Sequence, residues 1–287
     1  MKKRTLAAIV STYEPGTFFE VNLNLIAAEV EHVFLVNDSG NISLAEYLGH
    51  IVKSVCNVTL INNEYNIGLA KSLNLATRNA EAAGFNWVII FDDDTRIRRG
   101  SICRLQALAA VHKGMNNIYS LSRINSSNIQ IMNPYFVEYK VCITSGSMFS
   151  IDLFNKVAGF DESFFIDFLD FDFCLRTLAI GGKVLRTSTG EIEHRVGNPI
   201  HIKILFFKII THNHKPVRYY YHYRSAVLLA KRHYLTQPKY TARVLLGVIQ
   251  KLTKMLILET RRYEKMKFVA FGILHGILNK VKYNPQV

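Results

Sequence analysis

Short apolar runs alternate with helically spaced segments through the first two-thirds of the chain, and this rhythm restricts the fold more than any other feature. Leu6–Ser11, Val33–Asn37, Val58–Asn62 and Trp87–Phe91 read as buried strands. Between them, Thr17–Glu29, Ser43–Lys53 and Leu69–Ala83 carry apolar residues at helical spacing, and Gly84 supplies a helix stop. The order predicts an α/β fold: a mainly parallel, Rossmann-like sheet flanked by helices. Ligands of such sheets sit at the carboxyl ends of the strands. Polar residues gather there: Thr12 and Glu14 after the first strand, Asn37 and Asp38 after the second, Asn62 and Asn63 after the third, Asp92 to Asp94 after the fourth.

Several function classes drop out. No GxGxxG follows the first strand and no GxxxxGK[ST] occurs, which argues against a dinucleotide oxidoreductase or a P-loop NTPase. The four cysteines are widely spaced without a CxxC pair, which suits a reducing compartment and no structural zinc. Lys2-Lys3-Arg4 leads into Leu6–Val10, which reads as a strand rather than a leader. No apolar run approaches the roughly 18–20 residues that span a bilayer.

Charge divides the chain. From Pro199 onward there are 17 Lys+Arg against 2 Asp+Glu, a net of +15; the preceding 198 residues carry 18 against 20, a net of −2. The expected organisation is a nearly neutral domain over residues 1–198 and a basic, aromatic, helical region over 199–287. Val244–Leu258 and Lys267–Val281 read as amphipathic helices. A basic apolar segment points to an anionic partner, lipid headgroups or nucleic acid.

The strongest chemical signal is the triplet Asp92-Asp93-Asp94 at the end of an apolar strand. Adjacent carboxylates repel unless they are solvated or neutralised by a cation. Mg²⁺ and Mn²⁺ accept one or two protein carboxylates together with phosphate oxygens. A second cluster sets Asp167, Asp170 and Asp172 among bulky apolar residues, a setting that raises a carboxylate's pKa and suits it to accept a proton. Asp172 and Arg176, four apart, suit an ion pair. Asp167 and Asp170 are placed to share a helix face or to cap a helix. His194, in Glu193-His194-Arg195, is a candidate ligand.

The order of Ser11-Thr12-Tyr13-Glu14-Pro15, Val36-Asn37-Asp38-Ser39, Asn66-Ile67-Gly68-Leu69-Ala70, the Asp92–Asp94 triplet, Thr144-Ser145-Gly146, the segment Gly159–Arg176 and His194 resembles family 2 glycosyltransferases of the GT-A fold, over residues 5–235. Phe165-Ile166-Asp167, Asp172-Phe173-Cys174-Leu175-Arg176 and Tyr219-Tyr220-Tyr221 with Arg224 are similar to the rhamnosyltransferases of bacterial surface-polysaccharide assembly. The resemblance implies roles. Thr12, Glu14 and Asp38 hold base and ribose; Asn66, Gly68 and Lys71 flank the nucleotide; Asp92 and Asp93 adjoin it. Asp94, with Asp92 and His194, lies at the metal. Ser145 and Gly146 line the acceptor side, and Asp170 is the base, with Asp167 the second candidate. The sequence departs from the family where Glu-Asp is replaced by Leu169-Asp170, where Tyr is replaced by Asp167, and where Arg-Asn is replaced by Arg224-Ser225.

The resemblance implies an inverting, metal-dependent (Mg²⁺ or Mn²⁺) transfer of a sugar from a dTDP- or UDP-linked donor. The expected sugar is rhamnose, then galactose or galactofuranose. The acceptor is a lipid-linked glycan met at the anionic inner face of the cytoplasmic membrane, in O-antigen or capsule synthesis, with a homo-oligomer as a further partner and no nucleic acid. The alternatives are a nucleotidyltransferase of related fold and a non-catalytic nucleic-acid-binding protein.

Overall fold

The structure, a computed structural model, describes residues 5–112, 114–124, 135–194, 200–204, 207–211 and 213–280; the side chains of His194 and of residues 200–210 lie outside that description. The chain forms two compact units. The first comprises Met1–Glu162 and Asp170–His194, the second Ser163–Leu169 and Arg195–Val287. The division after His194 is close to the charge boundary, but Ser163–Leu169 belongs with the basic part, a grouping that composition does not show.

In the first unit the elements run β1 (Leu6–Thr12), α1 (Phe19–Ala27), β2 (His32–Asn37), α2 (Ile42–Ser54), β3 (Val58–Asn62), α3 (Leu69–Ala82), β4 (Trp87–Asp92), β5 (Thr95–Ile97), α4 (Ser101–His112), β6 (Ile118–Arg123), β7 (Phe136–Tyr139), β8 (Ser147–Ser150), α5 (Ile151–Lys156), α6 (Leu169–Ala179) and β9 (Val184–His194). They build a nine-stranded sheet in the order β3-β2-β1-β4-β8-β6-β9-β5, with β7 also paired to β9. The first four strands are parallel, as their apolar runs require: β1 and β4 are buried along nearly their whole length. Beyond them β8 runs antiparallel to both β4 and β6. β6 and β9 pair in parallel, whereas β5 and β7 run antiparallel to β9, so this half is mixed and the half that carries the polar loops is parallel throughout.

Register fixes those loops. Thr12 sits opposite Asn37, Asn37 opposite Asn62, and Ser11 opposite Asp92, so one edge of the parallel half presents all of them together. Trp87, Ile89, Leu35, Leu48 and Ile102 lie in the core that fixes the strands. Each such fully buried side chain contributes about 1.5–3 kcal/mol.

The second unit opens with an antiparallel hairpin, β10 (Ile200–Ile204) and β11 (Phe207–Thr211), followed by α7 (Pro216–His233), α8 (Pro238–Leu258) and α9 (Arg262–Leu278). The three helices match the helical region expected after Pro199, and the hairpin is an addition to it: Ile200, Ile202 and Ile204 alternate with His201 and Lys203, the period of a strand. Pro216 and Pro238 open their helices, where the missing N–H costs nothing. Tyr219, Tyr223, Val248, Met255 and Val269 form the unit's core. At Gly272 an added Cβ would lie 2.4 Å from the Tyr220 carbonyl oxygen, so α7 and α9 meet backbone to backbone there. Buried Glu259 accepts hydrogen bonds from Lys265 Nζ (2.7 Å), Tyr219 Oη (2.6 Å) and Thr211 Oγ1, joining α9, α7 and β11. No helix among the described residues is long and apolar enough to cross a membrane.

Candidate active site

The carboxyl edge of β1–β4 is braced by its own acids. Asp38, buried just after β2, accepts hydrogen bonds from Asn63 Nδ2 (2.9 Å), the Ile67 amide (2.9 Å) and the Gly68 amide (3.1 Å). Burial pushes its carboxyl pKa up, and those hydrogen bonds oppose the rise. Asp38 therefore holds the loop that starts α3. Gly68 takes φ +91° there, a conformation only glycine adopts freely, and Asn66 Oδ1 accepts from its amide at 3.0 Å. Lys71 stands exposed in the first turn of α3, where amide dipoles and a cation together favour an anion.

The triplet is divided in role. Asp93 Oδ2 accepts from Thr12 Oγ1 (2.9 Å) and the Tyr13 amide (3.0 Å), which ties the β1 loop to the β4–β5 turn. Burial raises its pKa, a rise reinforced by Asp94 and opposed by these bonds. Asp94 is exposed and Asp92 partly exposed, as are the carboxylates of a cation site open to a ligand. Ser145, fully buried, donates to Thr95 Oγ1 (2.7 Å) and accepts from the Asp92 amide (3.1 Å), and the Gly146 amide donates to the Ile90 carbonyl (2.7 Å). The Thr144–Gly146 loop thus steadies the acidic turn, a role the sequence did not reveal. Asn22 does likewise through Thr95 O and the Ile97 amide. Glu14 is exposed beyond Tyr13.

A divalent cation fits this donor set as an incomplete one. Asp93 ties the turn to Thr12 and Tyr13, Asp92 and Asp94 stand partly exposed and exposed beside it, and Mg²⁺ or Mn²⁺ takes one or two carboxylates when phosphate oxygens supply the rest. Among the described residues no three His, Cys, Asp or Glu side chains group into a self-sufficient metal site. His194 ends β9 opposite Thr95, the residue after the triplet; its side chain lies outside the described residues.

Asp170 stands in the first turn of α6 and lines a small cavity with Cys142, Thr144, Ser147, Phe160 and Cys174. The Cys142 and Cys174 sulfurs are 3.7 Å apart as free thiols. Asp172, fully buried, pairs with Arg176 Nε at 2.8 Å.

Asp167 lies elsewhere. It precedes α6 with φ +65°, and Phe168 has φ +62°, so Asp167 is outside the helix and shares no helical face with Asp170. Within the second unit its carboxylate is gripped by Arg218 Nη2 (2.7 Å) and His222 Nδ1 (3.1 Å), one turn apart on α7. Burial alone would raise its pKa; Arg218, His222 and Lys251 outweigh that and hold it far below the usual carboxylate range. The ionised carboxylate only accepts, so Nδ1 of His222 is the donor. Sequence reading had no means to find Arg218 and His222, which lie 51 and 55 residues away.

The sequence profile of glycosyl transferase family 2 matches residues 8–168. The chain belongs to that family. As a glycosyltransferase it is 28% identical to dTDP-rhamnosyl transferase RfbF of Shigella flexneri, across 94% of this chain and 94% of that protein. Among solved structures, S. aureus TarS (residues 1–349) superposes with a TM-score of 0.60 at 14% identity, covering 95% of this chain and 81% of the other. The mannosyltransferase PcManGT of Pyrobaculum calidifontis, solved with GDP-Man and Mn²⁺, gives a TM-score of 0.57 at 12% identity, over 98% and 89% of the two chains. These likenesses establish the GT-A fold of this glycosyltransferase. The nucleotidyltransferase and nucleic-acid-binding alternatives find no support among them.

Proposed function

We propose that this glycosyltransferase moves rhamnose from dTDP-rhamnose onto a hydroxyl of a lipid-linked glycan, with inversion, at the inner face of the cytoplasmic membrane during surface-polysaccharide synthesis. Similarity to a dTDP-rhamnosyl transferase along nearly the whole length of both chains carries the choice of donor. Galactose or galactofuranose from a UDP-linked donor is the next choice.

Thr12, Glu14 and Asp38 face the nucleoside, Asp38 through the loop it holds, and Lys71 with the α3 amides meets the diphosphate. Asp92, Asp94 and His194 are the positions that would hold the cation, which supplies charge neutralisation to the departing diphosphate. Asp170 takes the acceptor proton as the hydroxyl oxygen bonds to the anomeric carbon; the bond from that carbon to the diphosphate oxygen breaks and dTDP leaves. Such a base contributes about 10²–10⁴ in rate. Asp167 is less suited to it, because Arg218 and His222 occupy its two oxygens and depress its affinity for a proton.

A thermal-shift screen of sugar nucleotides with and without Mn²⁺ tests the donor, since a ligand that binds only the folded state raises its stability. dTDP-rhamnose should give the largest metal-dependent shift. A larger shift with UDP-galactose, or none with any sugar nucleotide, would overturn the assignment.

A further inference from the structure

Among the described residues, the second unit leaves an apolar surface uncovered. α9 turns Lys265, Val269, Gly272, His275 and Gly276 inward. Its other side presents Ile273, Leu274, Ile277 and Leu278, between 38% and 56% exposed, with Lys267 about two turns earlier on that side. α8 repeats the pattern. Val248 and Met255 face the core and Leu252 packs against it, whereas Leu246, Ile249 and Ile257 are about 60% exposed. On a helical projection Lys239, Arg243 and Lys254 line one flank of that apolar arc. Monomeric proteins seldom leave apolar side chains so grouped without a partner.

We propose that the outward face of α9, supported by the basic-flanked arc of α8, docks on an anionic lipid bilayer, lying in its headgroup layer without crossing it. Charge selects this occupant. Ten of the basic residues lie at or beyond Lys239, against two acids, Glu259 and Glu264. Glu259 is neutralised internally by Lys265, and Glu264 is paired with Arg261 at 2.6 Å. A second copy of the chain would bring the same unopposed positive surface against itself, whereas anionic headgroups complement it. Leucine and isoleucine also suit acyl chains better than nucleobases, which call for aromatic stacking. Each basic residue close to an anionic leaflet raises partitioning about fivefold. This deepens the lipid-linked acceptor of the proposed function, yet it stands or falls on a separate measurement.

That measurement is vesicle flotation of the full chain with phosphatidylcholine vesicles, with or without phosphatidylglycerol, beside the double variant Leu274→Glu/Ile277→Glu. Both substituted positions are exposed, so the fold has no reason to change, and donor binding in the same preparation checks that it has not. The wild type should float with the phosphatidylglycerol vesicles and partly release at about 0.5 M salt. The double variant should lose at least tenfold of the bound fraction while keeping donor affinity. If the variant floats like the wild type, α9 is not the docking face. If the wild type ignores vesicles and sediments as a dimer that the variant abolishes, the face is a self-association surface and the bilayer is refuted. Absence of dTDP-rhamnose binding in both proteins would instead count against the donor of the proposed function and leave flotation to decide this one.

Discussion

Replacing Asp167 with Asn separates a load-carrying carboxylate from a chemical one. The substitution keeps shape and removes charge from a group bonded to Arg218 at 2.7 Å and His222 at 3.1 Å. Breaking a fully buried pair costs about 3–5 kcal/mol. Here the side chains of Arg218 and Asp167 are 35% and 21% exposed, so solvent screens part of the loss and about 1–3 kcal/mol remains. At about 2–4 °C per kcal/mol, the melting temperature should fall by about 2–12 °C at neutral pH. The pH dependence carries a sign. Asp167 has a depressed folded pKa, so its contribution is fully present above the ordinary carboxylate range and is lost only as pH falls through the folded value; it does not vary between pH ~6 and ~8. His222 is shifted down by burial, against the pull of Asp167, so the unfolded chain protonates first and stability falls as pH drops below about 6.5. Without Asp167 the downward shift grows, and the gap between variant and wild type should widen from pH ~7 to pH ~5.5. Differential scanning fluorimetry across that range, with donor titration at neutral pH, reads both effects. A melting temperature within about 1 °C of wild type and a gap independent of pH would refute the ion-pair account. A normal melting temperature with abolished transfer would move the base to Asp167.

Two further outcomes rest on the site and the packing. Asp94→Ala should abolish Mn²⁺-dependent donor binding in calorimetric titration while the melting temperature stays within about 1–2 °C of wild type, because Asp94 is exposed and its neighbour Asp93 keeps the turn tied to Thr12; unchanged affinity would remove it from the metal site. Gly272→Ala should cost about 1–3 kcal/mol in urea unfolding, because its Cβ would come within 2.4 Å of the Tyr220 carbonyl; an unchanged midpoint would show that α7 and α9 have room to separate.

The parallel half of the sheet was legible because β1, β2 and β4 are buried on both faces and announce themselves as unbroken apolar runs between helical spacings. The mixed half was not. β5 is three residues long, and β8 is Ser147-Met148-Phe149-Ser150, whose ends resemble turn chemistry until strand pairing buries them. The acidic residues at the ligand edge were visible as residues, but their division of labour was not. Asp93 is held by groups 80 and 81 positions away and Asp38 by an amide 29 away, and no local pattern encodes such partners. The same distance hid the grip on Asp167, whose apolar neighbours suggested a raised pKa where Arg218 and His222 impose the opposite. The outward apolar face of α9 was half visible: its amphipathic spacing could be read, but which side the core claimed depended on Gly272 and Gly276 meeting α7.

The central claim is an inverting transfer of rhamnose with Asp170 as the base. Its most direct test is to incubate wild type and Asp170→Asn with dTDP-rhamnose, Mn²⁺ and a lipid-linked glycan, following turnover and assigning the anomeric configuration of the product by nuclear magnetic resonance. The account predicts a product of inverted configuration from the wild type, and turnover slower by about 10²-fold or more in Asp170→Asn with donor affinity retained. A product of retained configuration, or undiminished turnover by Asp170→Asn, would contradict it.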